Sequence, residues 1–153
     1  MLTLGQAEYE ALRRHGEEAY PNESCGVLLG RAEAGGRLVV GVERCSNTRG
    51  DSPRDRYAID PREILRIERE ARARGLDIVG FYHSHPDHPA RPSATDLAEA
   101  HWTGCSYVIT RIARGRAEAT ASFVLAGEEE AKRLDEEEVR VRAAEPARAQ
   151  EDA

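Results

Sequence analysis

The feature that most constrains the fold is an apolar run that ends in a proline-bounded polar cluster. Ile78-Val79-Gly80-Phe81-Tyr82 leads directly into His83-Ser84-His85-Pro86, and Ser93 and Asp96 follow. Asp77 to His83 reads as a strand whose end delivers the two histidines. Pro86, Pro89 and Pro92 forbid regular structure between His85 and Ser93. Ser93 is a natural N-cap for a helix from Ala94 to His101, which puts Asp96 in that helix's first turn. Two residues apart on a strand, His83 and His85 leave the same face. Two imidazoles and one carboxylate, all with N or O donors, suit a catalytic zinc ion with an open fourth position. On average residue usage, a chain of this length shows this pattern by chance on the order of once in 10^5 cases.

The rest of the composition sets bounds. At 153 residues the chain is long enough for one domain with a real core. A formal net charge of -6 argues against nucleic acid as a partner. Arginine supplies nearly all the positive charge and Lys132 is the only lysine, which reflects genomic base bias or thermal adaptation more than function. Cys25, Cys45 and Cys105 form neither a disulfide framework nor a Cys-x-x-Cys knuckle. There is no charged-then-apolar leader and no apolar run approaching membrane-spanning length. The expectation is a reduced, cytoplasmic protein with no membrane partner.

Along the chain, Gln6 to Tyr20 reads as an amphipathic helix with Thr3 as its N-cap. Cys25 to Gly30 and Leu38 to Val42 read as a hairpin turned at Gly35-Gly36. Ser46 to Arg56 reads as a surface loop and Arg56 to Ile59 as a short strand. Asp60-Pro61 opens a second helix that Gly75 ends. Ser106 to Ile112 and Ala117 to Leu125 read as strands joined at Gly115. Glu128 to Leu134 reads as a short helix, with the acidic stretch Glu128 to Glu138 a solvated helix face. Val139 to Val141 reads as a last strand, and residues 143–153 as a disordered tail after a domain over 1–142. The expected class is α+β, a mixed and mostly antiparallel sheet flanked by helices.

A hydrolytic zinc site also needs a general base that passes a proton to the leaving amine. Glu17, Glu18, Glu23 and Glu63 all precede the motif, and spacing does not choose among them. Here the chain resembles the JAMM (MPN+) metallopeptidases. Their motif is an upstream Glu, then His-x-His-Pro, Ser and Asp. Pro21 to Gly30 resembles the segment carrying that Glu in small prokaryotic members, and Asn47, Pro53, Tyr57 and Pro61 also match their pattern. The resemblance spans roughly Met1 to Leu125. It implies a cytidine-deaminase-like JAMM/MPN core, with one zinc ion and its catalytic water on His83, His85 and Asp96. It also implies Glu23 as general acid/base and Ser93 as donor to the oxyanion.

The resemblance further implies a ubiquitin-like protein substrate. The first expectation is a peptidase that trims a ubiquitin-fold sulfur carrier after its terminal Gly-Gly, releasing an amino acid such as cysteine. The alternative is an isopeptidase removing ubiquitin-like modifiers from lysines. A rival of another class is a non-catalytic MPN interaction module, against which the intact ligand set argues. A homodimer is compatible with all of these. The deaminase motif His-x-Glu with Pro-Cys-x-x-Cys and the protease motif His-Glu-x-x-His are both absent. Beyond the motif, His88 reads as loop surface or substrate contact, His101 as a structural residue at a helix C-terminus, His15 as exposed, and the cysteines as packing residues. The loop from Asp51 to Arg56 reads as solvated surface that could also touch a substrate tail.

Overall fold

The structure is a computed structural model that describes residues 1–50 and 52–144. Its elements are β1 (Leu2–Gly5), α1 (Gln6–Ala19), β2 (Cys25–Glu33), β3 (Gly36–Cys45), α2 (Pro61–Ala73), β4 (Asp77–Pro86), α3 (Ala94–Glu99), β5 (Ser106–Ala113), β6 (Arg116–Ala126), β7 (Arg133–Glu137) and β8 (Val139–Arg142). The strands form one sheet in the order β7-β6-β5-β4-β2-β3-β1-β8. The β4–β5, β1–β3 and β1–β8 pairings are parallel, and the other four are antiparallel. The expected α+β class with a mixed, mostly antiparallel sheet is what forms. The two edge strands β7 and β8 are separated in sequence only by Glu138, so the sheet must curl until its edges approach each other.

Curling creates two cores. On one face Leu2, Leu4, Leu28, Val39, Tyr82 and Val108 pack with Leu12 of α1. On the other, Cys25, Val27, Leu29, Phe81, Tyr107 and Leu125 pack with Ile67 and Ala71 of α2. A bulge marks the centre: Gly80 pairs with Leu28 and Ile78 with Leu29, leaving Val79 as the extra residue. Gly16 lets α1 approach the sheet, because a Cβ there would lie 2.7 Å from Ile112 Cδ1. Gly26 makes room for the ring of Tyr82 crossing beside it.

Several local expectations give way to tertiary pairing. Thr3 is not a helix cap: it lies buried in β1, and α1 begins behind Gly5 with no side-chain cap. β1 is too short to read by periodicity and exists because β3 and β8 hydrogen-bond it on both sides. Arg56 to Ile59 is not a strand; Thr48 N and Oγ1 donate to Ala58 O from across the loop. The helix expected over Glu128 to Leu134 shrinks to a single turn, Glu129–Ala131, and the chain then enters β7. The acidic stretch is therefore no helix face. Glu137 is buried and accepts hydrogen bonds from Ser106 Oγ (2.6 Å) and Ser122 Oγ (2.7 Å). α3 stops at Glu99 with Ala100 as its C-cap, so the expected helix is shorter and His101 stands just past its C-terminus; there Lys132 Nζ donates to Ala98 O and Ala100 O. His15 is half-buried, with Nδ1 2.7 Å from the Tyr82 hydroxyl. The expected tail falls mostly on residues 145–153, outside the described residues.

Candidate active site

β4 lies near the middle of the sheet, between β2 and β5. It continues through Pro86, so both histidines sit inside the strand rather than beyond its end. Alternation puts Phe81, His83 and His85 on the α2 side and Tyr82 and Ser84 on the α1 side. Both imidazoles are buried, 2% and 7% exposed. Their Nε2 atoms are 3.1 Å apart. His85 Nδ1 lies 2.8 Å from Pro89 O, which can only accept. Nδ1 therefore carries a proton, and in the neutral ring His85 Nε2 presents a lone pair. His83 is oriented differently: its ring stacks on Tyr57 at 4.4 Å and 23°, and its buried Nδ1 has no partner among the described residues.

Asp96 arrives from α3. Ser93 caps that helix as expected, and the cap is reciprocal: Asp96 N donates to Ser93 Oγ (3.0 Å), and Ser93 N donates to Asp96 Oδ2 (2.9 Å). The same Oδ2 lies 3.0 Å from His85 Nε2 and 3.3 Å from His83 Nε2. Three donor atoms thus form a triangle with edges of 3.0–3.3 Å. A tetrahedral zinc ion with bonds of about 2.1 Å would set its donors about 3.4 Å apart, within a few tenths of an ångström of these edges, so the donor set fits such an ion. Burial opposes ionisation of Asp96, but hydrogen bonds from His83 and His85 outweigh it and hold the carboxyl well below the usual range. Burial lowers the His83 pKa, keeping that ring neutral. At His85 burial is outweighed by the bonds to Asp96 and Pro89, and the pKa is raised.

Glu23 precedes β2, whose Cys25 is paired with His83 in the ladder. It is 3% exposed, with Oε1 lacking a partner among the described residues. A Glu23 carboxylate oxygen and one nitrogen of each histidine lie within 4.8 Å of one another, so Glu23 itself is in metal range. Burial pushes its pKa up to about 8. Two devices hold it. Ser84, between the histidines, accepts from Ser24 N at Oγ (2.8 Å), and Ser84 N donates to Ser24 O (3.2 Å). Above, Glu23 N donates to Pro53 O (2.8 Å), and Asn47 Nδ2 donates to Glu23 O (3.4 Å) and Arg56 O (3.0 Å). Asn47 Oδ1 accepts from Arg49 N and Ala58 N. The described residues of this loop, 46–50 and 52–56, are therefore not simply solvated surface; they are stitched down as the cover of Glu23.

Ser84 and Tyr57 are functional neighbours that the residue pattern alone did not single out. The signal for Ser84 was a small hydroxyl inside an otherwise apolar strand; for Tyr57 there was only the resemblance. His88 lies on the cleft wall, in keeping with loop surface or substrate contact. Cys25, Cys45 and Cys105 are buried free thiols. Burial pushes the Cys25 and Cys45 thiols up to about 12, so they are inert packing groups.

The site opens to an elongated cleft of about 520 Å³ whose lining includes Glu23, His85 and Ser93. Beyond Tyr57 lies a second, apolar groove of about 550 Å³, with Ile64, Leu65, Phe81 and Trp102 in its walls. Open metal donors, a shielded carboxylate and a substrate cleft define a metal-dependent hydrolase site. Comparison with known proteins makes this specific. Residues 5–126 match the family model of prokaryotic homologs of the JAB domain, and the chain belongs to that family. It is 38% identical to a desampylase of Haloferax volcanii over 71% of this chain and 78% of that one. It is 36% identical to a probable TtuB-protein conjugate cleaving protease of Thermus thermophilus over 67% of this chain and 65% of that one. A solution structure of a Desulfitobacterium hafniense protein, 34% identical, superposes with a TM-score of 0.80 over 94% of both chains. A JAB1/MPN domain protein from Archaeoglobus fulgidus, at 15% identity, shares the fold with a TM-score of 0.58 over 91% of this chain and 97% of that one. The chain is a JAMM-type metalloprotease with a buried Glu-His-His group at its centre.

Proposed function

We propose that this chain hydrolyses the amide bond that follows the C-terminal Gly-Gly of a ubiquitin-like protein, using one zinc ion held by His83, His85 and Asp96. The observation that carries the reading is the convergence of His83 Nε2, His85 Nε2 and Asp96 Oδ2 beside a buried Glu23, with Glu23 and His85 lining one cleft. Zinc there supplies Lewis-acid polarisation of the scissile carbonyl and of the attacking water. Glu23 takes the proton from that water and returns it to the departing amine. A divalent cation nearby favours the Glu23 carboxylate and brings its pKa down toward the range a base needs. Ser93 Oγ, on the cleft wall and already accepting from Asp96 N, keeps its own proton free to donate to the developing oxyanion.

Two bonds answer this description. One joins a released amino acid such as cysteine to a sulfur carrier's terminal glycine. The other joins a modifier to a protein lysine, and the printed names of the Haloferax and Thermus relatives favour conjugate cleavage. We place the reaction in the reducing cytoplasm, in keeping with three free cysteines. A mass-spectrometric assay of the zinc-loaded protein separates the readings. Its substrates are a carrier ending Gly-Gly-Cys, the same carrier with other extensions, and an isopeptide-linked conjugate. Cleavage of the carrier alone supports trimming, and cleavage of the conjugate supports modifier removal. Inertness toward all three would leave the interaction-module reading.

A further inference from the structure

We propose that Arg56 and Arg91 form a carboxylate-reading subsite on the leaving-group side of the cleft, so that the protein selects substrates with a free α-carboxylate next to the scissile bond. The inference rests on the proposed amide hydrolysis and deepens it. Both arginines line the cleft that holds Glu23, His85 and Ser93. Neither guanidinium has an ion-pair or hydrogen-bond partner among the described residues, whereas the exposed Arg44, Arg62, Arg66 and Arg72 all do. Asp55 shares the cleft but is engaged by Ser52 Oγ, and two cations outnumber it there.

The two arginines come from different loops, one before α2 and one after β4, and each backbone is tied to a site residue through one shared group. The Pro89 carbonyl accepts from Arg91 N (2.8 Å) and also faces His85 Nδ1 (2.8 Å). The Asn47 amide donates to Arg56 O and to Glu23 O. The backbones that carry the two guanidinium groups are therefore tied to the metal donors and the base, while both side chains reach into solvent. Guanidinium forks suit planar carboxylates. In a tail that loses one amino acid, the α-carboxylate sits one carbon beyond the scissile nitrogen. In an isopeptide the leaving nitrogen is a lysine Nζ, with no carboxylate near it. Unpaired cations in the cleft that holds the base discriminate between the two.

The test uses zinc-loaded Glu23→Gln protein and a ubiquitin-fold carrier ending Gly-Gly-Cys, with either a free C-terminal carboxylate or a carboxamide. The expected result is roughly 10-fold tighter binding of the carboxylate form, shrinking as salt rises because both arginines are exposed. Adding Arg56→Gln and Arg91→Gln brings the ratio close to one, whatever the absolute affinities. Equal binding of the two forms, no measurable binding of either, or a ratio that survives both substitutions overturns the subsite. Cleavage by the wild-type protein is scored separately. A carboxylate preference that responds to the arginines, in a protein that cleaves neither form, would overturn the proposed reaction and leave the subsite standing.

Discussion

The two walls of the cleft are built in opposite ways. The metal wall is local in sequence: His83, His85, Ser93 and Asp96 lie on one strand, one proline-braced loop and one capped helix turn. The wall that carries Glu23 is assembled from distant segments, with Ser84 beneath and Asn47 and Pro53 above. A metal site needs several donors aimed at one point, and a stiff local segment achieves this at low entropic cost. A base needs burial, and burial requires a lid from elsewhere in the chain. The difference also runs through the two histidines, since a carbonyl orients His85 and the face of Tyr57 orients His83.

Substitutions can break the walls separately. The largest effect is expected from the His83→Ala/His85→Ala double variant, which should lose zinc and all turnover; full zinc occupancy by elemental analysis would remove these residues as ligands. Ser93→Ala should lower kcat by roughly 10^2 if the hydroxyl serves the oxyanion. A loss confined to about 1 kcal/mol of stability would leave only the helix cap. Asn47→Ala strikes the other wall. It should keep zinc yet reduce turnover and cost about 1 kcal/mol in denaturant unfolding, since part-buried backbone groups lose their partner. Loss of zinc in that variant would show that the walls are not separable.

The smallest effect lies away from the cleft, in the contact between α1 and β4. Burial, with help from Arg44, pushes the His15 pKa from 6.5 down to about 4. As pH falls the unfolded chain binds this proton first, so the contribution is fully present above pH ~6.5 and declines toward pH ~4. His15→Asn should flatten the acid-side dependence of unfolding free energy by up to about one proton over that window. An unchanged slope would mean that His15 titrates as freely as in the unfolded chain.

How much of this was legible follows from the same contrast. The donor triangle could be read because its elements are contiguous and punctuated by proline and a capping serine. The sheet class could be read because β2 to β6 carry long apolar runs. β1 and β7 could not, since each is short and defined by its neighbours in the ladder. Leu134 and Glu137, the least exposed residues of β7, lie three apart, a helical rather than a strand spacing, and the acidic residues around them also imitate a helix face. The loop over Glu23 reads as polar surface because its binding is done by one amide, Asn47, and by backbone groups that composition does not reveal. Glu23 needed the family resemblance, since four upstream glutamates were equivalent by spacing.

The central claim is that the local wall holds the metal and the assembled wall holds the base. Glu23 is nevertheless close enough to both histidines to be a ligand itself. The direct measurement is zinc content together with turnover in Glu23→Gln, beside Asp96→Asn. The account predicts one zinc per chain without cleavage in Glu23→Gln, and loss of zinc in Asp96→Asn. Zinc lost from Glu23→Gln but retained by Asp96→Asn, or wild-type turnover in Glu23→Gln, would contradict it.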